Sequence, residues 1–444
     1  MTKQFTSNLI GVSLTEQLRR YFQFDERKTN LRTEIIAGIT TFLAMVYIII
    51  VNPATLSQGG MDFGGVFIAT IIAIVIGTLI MGVAANYPIA IAPGLGINAY
   101  IAYTVILSQG VSWQNALGAA AAASGIFIVL SVTPFREIFI NSIPAVLKKS
   151  IAAGIGLFIT LIGLVNGHVV VDSPATMITL GSFSDPVLLF TLFGLFLTMI
   201  MMVIGVSGAI FFGMILTAMV AGVLGYLEMP TQLFAMPHGF SETFMQLEFS
   251  EIGSLLPVVF TLLLVVLFDT TGTMLGIGRQ AGLIKDDKFP NLKSALLADS
   301  VASFFGAFAG TSPTSAYVES GTGVSAGGRT GFVSVVVAGL FVLMLFFQPL
   351  AAAISSLPSI TAPALILTGC FMVSNVAAVD WNDYTEAFPA FLTMTLMPFT
   401  YSITNGVGLG MISYVVLKIA TGKFSEVHPL LFVIAVIFAA QLLL

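Results

Sequence analysis

The feature that most restricts this chain is an almost unbroken succession of apolar runs, each about as long as a membrane crossing and divided from the next by a short polar break. A transmembrane helix needs about 20 mostly apolar residues, and these runs consume nearly all of the 444 residues. Only 8% of the chain is charged, against about 25% in soluble domains. A water-soluble globule is excluded, and no stretch remains for a large soluble domain. The first 33 residues hold Lys3, Arg19, Arg20, Arg27, Lys28 and Arg32 without an apolar core or a small-residue cleavage site, so no cleavable signal peptide is expected. Cys370 is the single cysteine, which excludes an internal disulfide and a cysteine-cluster metal site.

Apolar segments fall at 34–53, 64–85, 88–107, 115–133, 150–166, 185–205 and 207–228, then at 252–277, 292–310, 313–324, 330–350, 362–378, 384–402 and 404–420. The predicted fold is an all-α integral membrane protein with 14 transmembrane segments. A further run, 429–444, is short enough for either a crossing or an interfacial helix. Short cytoplasmic loops are enriched in Lys and Arg. Fourteen crossings from a cytoplasmic N-terminus put all 16 basic residues on one side: those of the arm, Arg136, Lys148 and Lys149, Arg279, Lys285, Lys288 and Lys293, Arg329, and Lys418 and Lys423. The opposite loops at 167–184, 229–251 and 351–361 contain none. The expected placement is a multi-pass protein of the cell membrane with its N-terminus inside.

The two halves of the chain match in pattern. Ser142-Ile143-Pro144 precedes the fifth segment and Ser356-Leu357-Pro358 the twelfth. The third segment of each half is short, starts near proline and is rich in Gly or Ser: 88–100 in the first half, with Pro88, Pro93, Gly94, Gly96 and Asn98, and 310–323 in the second, with Pro313, Tyr317, Glu319 and Ser320. Proline removes a backbone donor and glycine weakens a helix by about 1 kcal/mol. Both stretches are therefore expected as short extended lead-ins to half-helices in spans 3 and 10. Seven segments per half, an odd number, gives an inverted repeat, an arrangement that places transport sites at discontinuous helices near the midplane. Irregular backbone at that depth is tolerated only where it is buried in protein or lines a cavity, so both stretches should face one internal site.

Few acidic side chains lie inside the apolar runs. Asp269, Asp299 and Glu319 each cost about 2.5–3.5 kcal/mol at a helix centre on insertion scales. Glu319 reads either as a cap on its own broken helix or as a ligand accepting hydrogen bonds from N–H groups of a solute. Asp269, beside Thr270, Thr271 and Thr273, reads as a proton carrier or as a side chain reaching toward the cytoplasmic boundary. Asp299, with Ser300, fits a proton-coupling role or an anchor between helices. Asn98, with two donors and an acceptor oxygen, would read a polar edge of a solute or satisfy loose backbone. Tyr317 and Phe268 offer aromatic walls to a planar cargo, and Gly96 and Ser320 complete the candidate substrate-binding set. The runs Gly94-x-Gly96-x-x-Ala99 and Gly321-x-Gly323-x-x-Ala326 lack the βαβ context of a dinucleotide site. His168, His238 and His428 fall outside the segments, and no hydrolase triad or metal-ligand set is present, so neither an enzyme nor a metal site is expected.

Phe-Asp-Thr-Thr-Gly-Thr at 268–273, Ala-Asp-Ser at 298–300 and Gly-Thr-Ser-Pro-Thr-Ser-Ala-Tyr-Val-Glu-Ser at 310–320 resemble the nucleobase/cation symporter type 2 family, which has the nucleobase–ascorbate transporter fold. Together with Gly-Ile-Thr-Thr-Phe-Leu-Ala-Met-Val-Tyr at 38–47 and Ala-Pro-Gly-Leu-Gly-Ile-Asn-Ala-Tyr at 92–100, they look like its adenine/guanine/hypoxanthine permease branch. The resemblance runs from about residue 20 to the C-terminus. It implies a seven-plus-seven inverted repeat: a cytoplasmic arm (1–33), a core domain (34–133 and 252–350) moving against a gate domain (134–251 and 351–421), and a C-terminal apolar segment (422–444) beyond the plan. It further implies import of purine bases by proton symport with elevator-like alternating access, and a homodimer through the gate domains. The family's acidic positions of spans 10, 8 and 9 fall on Glu319, Asp269 and Asp299, and its polar position of span 3 on Asn98. Asp rather than Glu in span 8 favours purines over uracil or xanthine. No cofactor is implied, and Na⁺ in place of H⁺ stays open because of the threonines beside Asp269. The competing readings are a carrier of uracil, xanthine or a small anion in the same fold, and a channel. The partners expected are a purine base and the lipid bilayer, with no nucleic acid.

Overall fold

The computed structural model describes residues 14–133, 142–228, 230–284 and 290–443. Of the expected inner charges, Lys3, Arg136, Lys285 and Lys288 lie outside the described residues. The apolar runs become helices because in hydrocarbon each backbone N–H and C=O must be paired within its own segment. In chain order these are α1 (Leu14–Tyr21), α2 (Leu31–Met45), α3 (Ile48–Gln58), α4 (Phe63–Ile80), α5 (Leu95–Ala99), α6 (Trp113–Val132), α7 (Ala145–Asn166), α8 (Pro186–Val203) and α9 (Ala209–Val223). They continue with α10 (Leu256–Gln280), α11 (Leu292–Ala309), α12 (Ser320–Ser325), α13 (Phe332–Met344), α14 (Gln348–Ser355), α15 (Pro358–Val373), α16 (Tyr384–Phe399), α17 (Ile403–Ala420) and α18 (Pro429–Leu443). Among the described residues, nine helical stretches are long and apolar enough to cross a membrane. Six helices start on a capping side chain: Asn30, Asp62, Ser112, Asp185, Asp383 and Ser402 each accept a backbone N–H of the first turn.

The helices gather into two groups. In one, α11 packs on α4 and α6, and α13 on α2 and α4, with α10 against α6. In the other, α7 packs on α15 and α16, α16 on α17, and α8 on α9 and α15. Close approach of α7 and α15 depends on glycine, since a Cβ at Gly156 would lie 2.7 Å from both Gly369 O and Met372 Cβ. Small residues of this kind let helix backbones approach where lipid provides no hydrophobic drive between helices.

Two features tie the first group together at its ends. At one end, Glu34 of α2 is fully buried and accepts from Thr29, from Arg329 N (2.9 Å) and from Thr330 Oγ1 (2.6 Å), while Arg27 donates to the carbonyls of Asn86 and Arg329. The described part of the expected N-terminal arm is thus packed onto the bundle. At the opposite end, the connection from α9 to α10 lies over the bundle: Thr243 Oγ1 donates to Ala309 O and Glu248 N to Gln114 O. Gly310, at φ 108°, turns the chain there, and a Cβ would strike Thr243.

The two proline-rich stretches pair with each other. Strand β1 (Ile91–Pro93) runs antiparallel to β4 (Thr314–Ala316), with Ala92 opposite Ser315; the remaining strands, β2 (Val170–Ser173) and β3 (Met177–Leu180), form an exposed hairpin. Gly94 N donates to Pro313 O, and Tyr317 N to Ala90 O. Backbone that proline keeps from becoming helix is satisfied by its counterpart from the other half of the chain. β1 leads into α5, which continues as a π-helix over Tyr100–Ser108, and β4 leads into α12.

The last apolar run is helical and lies along α17. Leu431, Ile434, Ala435 and Phe438 are buried at helical spacing, and Phe438 meets Phe260 of α10 edge-on with ring centroids 5.7 Å apart.

Candidate functional site

Where β1 and β4 hand over to their half-helices, they enclose a cavity of about 60 Å³. Its polar lining is Tyr47, Asp269, Thr273, Ser315, Glu319 and Thr368; Leu95, Ile97, Ile155, Val265 and Met372 supply apolar wall. A neighbouring cavity of about 220 Å³ shares Ile155, Val265, Asp269 and Met372 with it and extends to Lys148 and Lys149 in the first turn of α7. The neighbouring cavity thus lies on the side of the first that faces these lysines.

Glu319 is held by Tyr47, whose hydroxyl donates to Oε1 at 2.6 Å. Its own backbone N–H also donates to the carboxylate, which lines the cavity. A hydrogen bond to a charged acceptor is worth about 1.5–3 kcal/mol, enough to fix the side chain's orientation before any solute arrives. Tyr47 is itself placed by a break in the first span: α2 ends at Met45 and α3 starts at Ile48. Half-helix α12 comes close to α2 because Gly323 has no side chain; a Cβ there would strike Thr41 and Ala37.

Four of the residues expected at the site, Glu319, Asp269, Tyr317 and Gly96, line the first cavity. Asp269 accepts a hydrogen bond from Ser315 of β4. Tyr317 is pinned, its hydroxyl donating to Pro93 O at 2.6 Å, so its ring is a fixed wall. Gly96 permits α5 to approach α7, since a Cβ would collide with Ile155. Phe268 lines the neighbouring cavity instead, with Lys148 Nζ 6.0 Å from its ring centre.

The other three are placed behind the cavity. Asn98 donates to Asn52 Oδ1 at 2.9 Å, within a buried cluster in which Asn52 also donates to Thr70 and Thr311. Ser320 Oγ accepts from Ala90 N at 3.0 Å. Asp299 takes Thr270 on one oxygen and Thr314 (2.6 Å) on the other, which fastens β4 to α10 and α11.

Sequence reasoning passed over Tyr47, Asn52 and Thr70. Tyr47 closes the 38–47 motif, but the break that turns it inward leaves no proline or glycine as a sign. Asn52 is a polar residue beside Pro53 in an apolar run, and that was the available signal.

The arrangement defines a class: a membrane transporter fold in which two discontinuous helices meet at a cavity. The likeness to solved structures supports the fold. The transmembrane domain of a cyanobacterium bicarbonate transporter, BicA, aligns with a TM-score of 0.63 at 15% identity, covering 87% of this chain and 97% of that one. SLC26A9 aligns at 0.61 and 12% identity over 88% of this chain and 66% of that one.

The family model Xan_ur_permease, described as Permease family, matches residues 32–409, and the chain belongs to that family. Guanine/hypoxanthine permease PbuO of Bacillus subtilis (strain 168) is 46% identical over 428 residues, covering 95% of this chain and 99% of the relative. Adenine permease AdeP of Escherichia coli (strain K12) is 39% identical over 444 residues, covering 100% of this chain and 99% of the relative. The protein is a permease of the membrane and not an enzyme.

Proposed function

We propose that the protein imports purine nucleobases, hypoxanthine, guanine or adenine, by proton symport. The observation that carries this reading is the pair Glu319 and Asp269 in one cavity between β4, α5 and α10. A purine offers N–H groups along one edge and flat apolar faces. Glu319 accepts from the N–H edge, Tyr317 and the aliphatic wall take the faces, and the hydroxyls of Ser315, Thr273 and Thr368 serve the remaining polar atoms. The relatives above, guanine/hypoxanthine and adenine permeases by name, support the same cargo. Two carboxylates at the site oppose an anionic cargo, which would meet like charge.

The coupling belongs to the carboxylates. A proton on Asp269 or Glu319 neutralises a charge that is costly to carry through the membrane interior, so the loaded site crosses as a less polar unit. The motion proposed is elevator-like: the group holding β1, α5, β4 and α12 moves against the group built on α7, α15, α16 and α17. A seven-plus-seven inverted repeat in the cell membrane, with a cytoplasmic N-terminus, is the topology that goes with it. The equivalent prolines Pro144 and Pro358, at the starts of α7 and α15, and the antiparallel pairing of β1 with β4 support that symmetry. A homodimer through the second group completes the reading.

The test is uptake of radiolabelled hypoxanthine, guanine, adenine, xanthine and uracil by cells lacking their own base carriers, with and without a protonophore. Protonophore-sensitive uptake of at least one of the first three is expected. Uptake of none, or uptake indifferent to the proton gradient, overturns the cargo or the coupling respectively.

A further inference from the structure

Glu319 faces two cavities. Besides the central one it lines a second, of about 260 Å³, together with Ala44 of α2, Ser207 in the 204–208 linker, Ala209 of α9, Thr322 of α12 and Phe371 of α15. The two cavities have only Val318 and Glu319 in common. The 204–208 linker joins α8 to α9 at the end where α7 begins, since α7 and α8 each cross the molecule once between Lys148 and Val203.

This second cavity can hold water. A site needs only about 10–15 Å³ and two to four polar partners to keep one molecule. The partners here are the Glu319 carboxylate, the exposed Ser207 hydroxyl, the Thr322 hydroxyl and the first N–H groups of α9 at Ala209 and Ile210. The first N–H groups of a helix have no carbonyl of their own helix to bond.

We propose that this cavity is the proton's own access route to Glu319, separate from the path of the base. This rests on the transport reading above and adds to it where the proton travels. A base seated in the central cavity with its N–H edge on Glu319 blocks the carboxylate from that side, and Tyr47 occupies Oε1. Through the second cavity a hydronium ion still delivers its proton to a Glu319 oxygen, leaving a water molecule and the neutral acid. On unloading, the same bond breaks and the proton returns to water. The titratable groups facing Glu319 are Tyr47 from the α2–α3 break, Tyr317 from the end of β4 and Asp269 from α10. α8, α9 and α15 contribute no titratable residue to the lining of the second cavity.

The experiment fills the route. Ser207→Phe is reconstituted into liposomes, and hypoxanthine counterflow, which moves no net proton, is measured beside hypoxanthine-driven proton entry. Counterflow is expected within about twofold of the parent protein and proton-driven accumulation reduced at least about tenfold. Unchanged proton coupling overturns the proposal. A second measurement is independent of that variant's folding: Ser207→Cys is placed in a Cys370→Ala background and treated with a water-soluble methanethiosulfonate. Rapid labelling is expected; labelling by a bilayer-soluble maleimide alone shows a lipid-filled groove and overturns the proposal. Failure of the parent protein to exchange any base overturns the transport reading itself, and it is seen before any variant is made.

Discussion

Replacing Glu319 by Gln tests the centre of the site with little change in shape. The amide keeps an oxygen to accept the 2.6 Å bond from Tyr47, so the side chain holds its orientation and the fold is preserved. What changes is the other branch, where an acceptor oxygen becomes an NH₂ group. A base N–H that met a carboxylate now meets a second donor. The loss of one hydrogen bond to a charged acceptor, about 1.5–3 kcal/mol, weakens binding by about 10- to 150-fold. The assay is equilibrium binding of radiolabelled hypoxanthine and guanine to purified protein, with a thermal melt as control. Gln carries no titratable proton, so with Glu319 as the proton carrier any uptake that remains in cells should also lose its protonophore sensitivity, whereas retained sensitivity would assign the proton to Asp269. Base affinity within about twofold of the parent, with an unchanged melt, refutes the assignment of Glu319 as the ligand.

Tyr47→Phe removes the donor that orients Glu319. The KM for base should rise about tenfold with Vmax less affected, corresponding to about 1.4 kcal/mol of lost positioning, and an unchanged KM would show that Glu319 is held by other means. Gly96→Val places side-chain atoms on Ile155 between α5 and α7; overpacking of this kind costs about 1–3 kcal/mol, which a lowered melting temperature in detergent would report. Asp383, outside the membrane-spanning helices, is held at about 2 by bonds from Thr385 and, less strongly, by Lys423. Its contribution to stability is therefore complete above its ordinary value near 4 and is lost only as pH falls through about 2. Asp383→Ala should leave the pH profile of uptake between 5 and 8 unchanged, and a shifted profile would bring that carboxylate into the coupling machinery.

Much of this protein was legible without coordinates, for a reason peculiar to its solvent. Hydrocarbon forces each apolar run to pair its backbone internally, so the runs at 64–85 and 252–277 could become little other than α4 and α10. Pro88, Pro93 and Pro313, with the glycines beside them, announced the broken spans, because proline has no N–H to give a helix. An acid inside an apolar run needs a reason to persist, which brought out Glu319 and Asp269 together. Sequence reasoning stopped at direction and distance. It could not tell that Asp299 is taken up by Thr270 and Thr314, that Asn98 spends its amide on Asn52, or that Phe268 belongs to the outer cavity. The pairing of β1 with β4 joins residues more than 200 positions apart, and the contact of Tyr47 with Glu319 spans 272. Local pattern thus determined which segments become apolar helices, which ones break and which acids are candidates. Only the tertiary structure decided which of those acids reaches the cavity, because a side chain's partner there is set by how helices distant in sequence stack, and that information is in no single segment.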